Sequence, residues 1–262
     1  MPDELFSVRD RVTVVSGASR GIGRALAAGF AERGAAVIIT GRDADTLEQT
    51  AGELSTDETT VRGIVCDVSQ PAAIDQLVET VTADYGRLDV LLNVAGVNQR
   101  KKVETFTEDE YDFILDINLK GAFLVAQAVG RHMIERRTGS IVNIDSLNTY
   151  APLRGVAPYA MSKAGVVMMT RSLAMEWGPH AVRVNSIAPG FILTDLNRKL
   201  WSDATMHEWG MANTPLKRLG EVDDLVGAAV FLTSDASAFM TGQVVYVDGG
   251  VSAGLMWPIE LE

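Results

Sequence analysis

Tyr159 and Lys163 bracket the run Tyr159-Ala160-Met161-Ser162-Lys163. Four residues apart on a helix, they share one face, one turn from each other. A free phenol titrates near pH ~10 and is a poor base at neutrality; a neighbouring ammonium favours phenolate, by about 1.4 kcal/mol per pH unit. The pair is therefore a device for moving a proton to or from an alcohol or carbonyl. The same spacing also arises when a tyrosine packs and a lysine is simply solvated. Ser146 shifts that balance. It lies 13 residues before Tyr159, just past Ile141-Val142-Asn143-Ile144, where its hydroxyl could polarise a carbonyl or steady an alkoxide. Asn118 is polar among Ile114, Leu115, Ile117 and Leu119. It is either a satisfied core amide or an anchor for water leading to the lysine. His132, His180, His207 and Cys66 have no metal-ligand spacing, so no metal is expected. Cys66, within an apolar run, reads as buried and inert.

A second cluster points to a ligand. Gly17-Ala18-Ser19-Arg20-Gly21-Ile22-Gly23 follows an apolar run and opens a helical one. Glycines let backbone approach a ligand closely, and free amides at a helix start favour a pyrophosphate. The spacing differs from the standard dinucleotide fingerprint, but its position argues for a nucleotide. The next apolar run ends in Gly41-Arg42, with no carboxylate for a ribose 2′-hydroxyl. Arg42 and Arg20 are suited instead to an extra phosphate. NADP(H) is therefore favoured, with NAD(H) as the alternative. Asp43 and Asp45 are the counter-evidence, and read more plainly as a helix N-cap region. Asp67-Val68 is placed to meet the adenine, and Asn93-Val94-Ala95-Gly96 to lie beside the nicotinamide ribose.

The elements that position these groups alternate. Strands are expected at 11–16, 36–40, 61–66, 88–92, 140–144, 182–187 and 243–247. Helices are expected at 22–33, 44–54, 72–85, 108–136, 157–177 and 221–233. The strands are nearly continuous apolar runs, as when both faces are covered. The expected fold is α/β, a three-layer doubly wound parallel sheet of Rossmann type with about seven strands. At 262 residues the chain reads as a single domain that can bury roughly three quarters of its unfolded surface. One cysteine excludes an internal disulfide and fits a reducing compartment. The acidic start Met1-Pro2-Asp3-Glu4 is not a signal peptide. No run of about 18 uninterrupted apolar residues is present. A net charge of -11 argues against nucleic acid or anionic membranes as partners. A cytoplasmic globular protein is the expectation. Residues 191–217, rich in aromatic and Met residues but irregular, read as a segment covering a substrate.

Together these residues resemble the short-chain dehydrogenase/reductases over nearly the whole length. The resemblance rests on Gly17-x-x-x-Gly21-Ile22-Gly23, Asn93-x-Ala95-Gly96, Asn118, Ser146, Tyr159-x-x-x-Lys163, Pro189-Gly190 with Thr194, and Val247-Asp248-Gly249-Gly250. It implies a nicotinamide cofactor and hydride transfer, with Tyr159 as general acid/base. It further implies that Lys163 binds the nicotinamide ribose, Ser146 orients the reacting oxygen and Asn118 holds a relay water. Pro189, Gly190, Ile192 and Thr194 would lie on the nicotinamide side. Three positions depart from the family: Ser16 for a more frequent Thr, Val94 for a common Asn, and Asp145 where a small residue or Ser usually precedes the serine.

Asn98-Gln99-Arg100-Lys101-Lys102 follows the Asn93 turn. It is either a solvated face or an attraction for a substrate carboxylate or phosphate, with Arg100 as the cation. Asn148 and Arg154 are further substrate candidates. This loop, with Thr214-Pro215-Leu216-x-Arg218-Leu219-Gly220, looks similar to gluconate 5-dehydrogenases and related sugar-acid oxidoreductases. The expected substrate is a small polar or sugar-acid ketone or secondary alcohol. A 3-oxoacyl-thioester reductase and a non-catalytic NADP(H)-sensing protein are the alternatives. The resemblance also implies a homo-oligomer, tetramer or dimer. The helix with Val166, Val167, Met168, Met169 and Leu173 has more apolar surface than one sheet face needs, for core packing or for a partner helix, and the apolar tail 255–259 is expected to dock, on its own chain or on a neighbour.

Overall fold

Short apolar runs form seven strands: β1 (Val12–Ser16), β2 (Ala36–Gly41), β3 (Val61–Val65), β4 (Val90–Asn93), β5 (Gly139–Ile144), β6 (Val182–Pro189) and β7 (Val244–Val247). The computed structural model describes residues 4–56 and 59–257. All pairings are parallel, in the order β3-β2-β1-β4-β5-β6-β7. The order reverses between β1 and β4, which is where doubly wound sheets open a crevice for ligands.

Neighbouring residues on one strand point to opposite faces, and here each face meets helices. Val15, Val37, Ile39 and Leu92 pack with Leu26 and Phe30 of α1 (Gly21–Ala31) and Val230 of α9 (Val226–Thr233). Val14, Ile38, Leu91 and Ile141 pack on the other side. Their partners are Leu77 of α3 (Pro71–Tyr85), Val129 of α5 (Ala122–Arg136) and Leu173 of α6 (Ala157–Trp177). This double covering explains why the strands read as unbroken apolar runs. Around them lie α2 (Ala44–Leu54), α4 (Glu108–Leu115), α7 (Arg198–Trp201) and α8 (Ala204–Asn213).

The sequence expectations need three corrections. The helix expected over 108–136 is interrupted by a wide π turn at Asp116–Gly121 between α4 and α5, and Asn118 lies in it. That 29-residue stretch has the length and apolar composition to cross a membrane, yet Val125, Ala126, Val129 and Met133 pack fully buried on the sheet. Segment 191–217 is more ordered than its composition suggests. It carries α7 and α8, and Asp203 caps α8 by accepting from the Met206 amide at 3.0 Å. Finally, Leu255, Met256 and Trp257 are exposed and do not dock on their own chain. Pro258 and Ile259 lie outside the described residues.

Candidate active site

Parallel strands deliver their carboxyl ends to one edge. At the end of β5 that edge presents Ile144, Asp145 and Ser146, and α6 crosses it. Lys163 Nζ donates to the Ile144 carbonyl oxygen at 2.7 Å. It also lies 5.7 Å from the centre of the Tyr159 ring. The Ser146 hydroxyl stands close enough to the Tyr159 phenol to favour its ionised form. The Ser146 hydroxyl accepts from Asn148 twice, from the amide nitrogen of the side chain at 3.0 Å and from the backbone at 3.2 Å. Ser146, Tyr159 and Lys163 thus lie at the same edge of the sheet.

Burial dominates their electrostatics. It pushes the Tyr159 phenol up, the Ser146 hydroxyl pulls it back down, the Asp145 carboxylate raises it and the Arg100 guanidinium lowers it. Burial lowers Lys163 to about 8, opposed by Asp145. At neutral pH the lysine is therefore still mostly an ammonium, the form that favours phenolate.

Asn118 is held from two sides. Its amide donates to the Val97 carbonyl at 2.9 Å and to Ser162 Oγ at 3.1 Å. Its oxygen accepts from the Val97 amide at 2.7 Å. The side chain therefore behaves as a satisfied core amide, tying the loop after β4 to α6. In that loop Gly96 abuts the site. A Cβ there would stand 3.3 Å from Asn118 Oδ1 and 3.7 Å from Lys163 Nζ.

At the β1–β4 crevice the glycine turn packs tightly on its own chain. A Cβ at Gly17 would meet Ala95 Cα at 2.7 Å, and one at Gly23 would meet the Gly17 carbonyl at 2.4 Å. Only glycine permits this turn and the close start of α1. Arg20, the N-cap of α1, makes no side-chain cap, and the first turn carries no acidic residue, leaving amides and dipole for an anion. Ser16 Oγ accepts from the Val94 and Ala95 amides at 2.9 and 3.2 Å. That stitch supports the Asn93–Gly96 turn despite Val94.

Arg20 and Arg42 are both exposed at the ends of β1 and β2. The Ser19 hydroxyl sits beside Gly41, 3.5 Å from where its Cβ would be. Asp43 is the N-cap of α2, accepting from both the amide and the hydroxyl of Thr46. Asp67 lies just past β3 and accepts from the Ser69 amide at 2.9 Å, with Val68 buried beside it. After β6, Gly190 donates to the Val247 carbonyl at 3.0 Å and Ile192 is buried. Thr194 reaches the glycine turn, 3.9 Å from the position of a Cβ on Gly21. Glycine turn, free amides and exposed arginines fit a phosphorylated dinucleotide.

At the opposite rim, Arg100 and Arg154 are exposed. The Arg100 charge is felt by the Tyr159 phenol. Lys101 instead pairs with Glu110, 2.7 Å between Nζ and the carboxylate, and its backbone amide donates to Gly155. Asn148 is buried, and its oxygen accepts from the Leu153 amide at 2.9 Å. With its amide on Ser146, it acts on the serine rather than facing open space. Phe191, Trp201 and Leu219 form a small apolar cluster with Leu147, the residue after Ser146. Segment 191–217 is thereby packed against the edge that carries Ser146.

The family profile described as Enoyl-(Acyl carrier protein) reductase matches residues 17–252. Gluconate 5-dehydrogenase of Gluconobacter oxydans is 39% identical, over 96% of this chain and 98% of its own. This chain is a short-chain dehydrogenase/reductase. A 3-oxoacyl-(acyl-carrier-protein) reductase of Thermotoga maritima is 38% identical, over 92% of this chain and 97% of its own. The crystal structure of a gluconate 5-dehydrogenase from Burkholderia cenocepacia, in complex with NADP and tartrate, has a TM-score of 0.93. It is 37% identical, covering 96% of this chain and 99% of that one.

As a member of this family, the chain is an oxidoreductase of alcohols and ketones. Sequence reasoning missed three supports of its site. Ser162, passed over beside Lys163, donates to the Tyr159 carbonyl at 2.7 Å and receives Asn118. Thr149 donates to Asp145 Oδ2 at 2.9 Å. Glu110 neutralises Lys101, and its place in a capping box with Thr107 was the visible signal.

Proposed function

We propose that this short-chain dehydrogenase/reductase carries a hydride between NADP(H) and a ketone or secondary alcohol that is small, polar and acidic, of the sugar-acid class. Residues 1–262 would act as one domain, with 191–217 covering the substrate. The observation that carries the reading is the convergence of Ser146, Tyr159 and Lys163 at the edge that also holds the glycine turn. In reduction, Tyr159 gives its phenolic proton to the carbonyl oxygen, and in oxidation the phenolate takes the alcohol proton. Ser146 donates its hydroxyl to the same oxygen and orients it, itself oriented by Asn148. Lys163 holds positive charge below the phenol and offers its remaining donors to the nicotinamide ribose. Bound nicotinamide supplies or accepts the hydride at its C4.

NADP(H) over NAD(H) rests on Arg20 and Arg42, with Asp43 already spent on its helix. Gly17, Gly21, Ile22, Gly23, Asn93 and Ala95 would line the pyrophosphate and ribose, and Thr194 the carboxamide. The acidic substrate rests on Arg100. Its charge is directed at the reacting phenol, and Lys101 is neutralised beside it. NADP and tartrate, a hydroxy dicarboxylate, accompany the Burkholderia structure. The protein is read as a cytoplasmic homo-oligomer, since Phe123, Met168 and Met175 expose an apolar face on α5 and α6.

The test is NADPH consumption with 5-keto-D-gluconate, neutral ketones and acetoacetyl thioesters. Preference for the keto acid is expected. Preference for the thioester would move the reading to the 3-oxoacyl reductases. NADPH binding without turnover of any of them would favour a sensor.

A further inference from the structure

Asp145 is buried between the two residues that hold the proton-transfer pair. Its neighbour Ile144 takes the Lys163 ammonium on its carbonyl, and its neighbour Ser146 favours ionisation of the Tyr159 phenol. The residue is 2% exposed. Its backbone amide is fixed to the Ile187 carbonyl at 2.7 Å, so β6 determines where the side chain sits. One carboxylate oxygen, Oδ2, accepts from Thr149 Oγ1 at 2.9 Å. The other, Oδ1, is buried with no hydrogen-bond partner among the described residues. A small residue would avoid that cost, so the acid calls for a reason.

The titratable and charged groups facing Asp145 are few. Lys163 and Tyr159 stand on α6. Tyr246 of β7 lies beyond Thr149, its phenol 3.5 Å from Thr149 Oγ1. Arg100 acts on Tyr159 from the opposite rim. No ion pair joins Asp145 to Lys163 among the described residues, so the two act on each other through the low-dielectric interior rather than by contact.

We propose that Asp145 is a positioning residue of the proton-transfer site: its buried charge keeps the Tyr159 phenol protonated, poising the enzyme to give a proton to a carbonyl. This rests on the acid/base reading of Tyr159. A carboxylate near the phenol opposes phenolate, the form oxidation needs, and leaves the neutral phenol that reduction needs. Burial holds the Asp145 carboxyl up at about 6, so its charge is present above that pH. Asp145 thereby sets the pH at which each direction runs, while the overall equilibrium is unchanged.

The experiment titrates Tyr159 itself. Tyrosinate absorbance is followed against pH in the NADP(H)-free protein and in D145N, each with its Y159F counterpart to isolate the one phenol. The Tyr159 titration should fall by about one pH unit in D145N, the scale on which a neighbouring like charge acts. The alkaline limb of kcat/KM for 5-keto-D-gluconate reduction should fall with it. No movement, or movement upward, overturns the proposal. Should D145N fail to fold, wild-type protein carrying Cζ-labelled tyrosine provides the second measurement. The Tyr159 resonance should step between about pH 5 and 7 as the nearby carboxyl ionises, and a flat trace overturns the proposal equally. Turnover by Y159F would instead refute the acid/base reading, while the optical titration still reports on Asp145.

Discussion

Asn118 donates its amide to Ser162 Oγ at 3.1 Å, and Ser162 passes a hydrogen bond on to the Tyr159 carbonyl at 2.7 Å. The wide turn of the long helix is thus tied to the first turn of α6, and the same Asn118 clasps Val97. Replacing Asn118 with Leu leaves the half-buried Val97 amide and carbonyl without their side-chain partners. A lost hydrogen bond costs about 0.5–1.5 kcal/mol. N118L is expected to lose about 1–2 kcal/mol in urea unfolding and most of its turnover. Unchanged stability would contradict the clasp.

Tyr159→Phe removes the proton donor and little else, because the ring and its packing remain. Turnover should fall by about a thousand-fold, within the range for general acid–base catalysis. The Kd for NADPH, measured by fluorescence, should stay within about two-fold, since the cofactor contacts assigned to other residues are untouched. Substantial residual activity would remove the acid/base role.

Arg42→Ala tests the cofactor reading. Charge-assisted hydrogen bonds to a phosphate contribute about 1.5–3 kcal/mol, so NADPH affinity should drop about 10- to 100-fold. NADH, lacking that phosphate, should bind as before. Equal losses for both would remove the phosphate contact.

Arg100 and Lys101 stand side by side and should behave differently. Arg100→Gln should raise KM for sugar acids about ten-fold, leaving neutral ketones unaffected, as for the loss of one exposed charged contact. Lys101→Gln breaks the pair with Glu110, whose carboxyl that lysine holds down. Its effect should be a small loss of stability of at most about 1 kcal/mol, with KM unchanged. A KM that moves with Lys101 instead would assign the substrate charge to the wrong residue.

Asp145 also marks the stability profile. Burial pushes its carboxyl up to about 6 in the folded chain, against about 3.9 for an ordinary Asp. Folded protein holds that proton more tightly, so this contribution favours folding below pH ~4 and is lost as pH rises towards about 6. D145N, which carries no charge, should therefore gain on the wild type as pH rises from about 4 to 7. The gain is at most about 3 kcal/mol, at 1.36 kcal/mol per unit. A wild-type advantage that grows over the same range would reverse the sign and refute the assignment.

Much of this architecture is written in the residues. Val14 and Val15, Ile38 and Ile39, and Leu91 and Leu92 point to opposite faces and are all buried. Double covering therefore makes strands legible as unbroken apolar runs. The glycine turn and the Tyr159–Lys163 spacing are local and survive into three dimensions unchanged. The turn at Asp116–Gly121 was not legible, because a wide turn adds one residue to a hydrogen-bonded loop without Pro or Gly at its start. In α8 only Gly210 is buried, so no apolar stripe announced that helix. Asn118 could be read two ways because its partners, Val97 and Ser162, lie 21 and 44 residues away. The pairing of Lys101 with Glu110 spans a loop and follows no period.

Leu147 belongs to two neighbourhoods at once. By sequence it follows Ser146, the serine proposed to orient the reacting oxygen, and by packing it joins the aromatic cluster of Phe191 and Trp201, whose ring centres are 5.3 Å apart. Exchanging aromatics in the cover for smaller side chains would therefore do more than widen an entrance. It would also slacken the seat of Ser146, so that altered substrate choice in this enzyme comes coupled to altered rate.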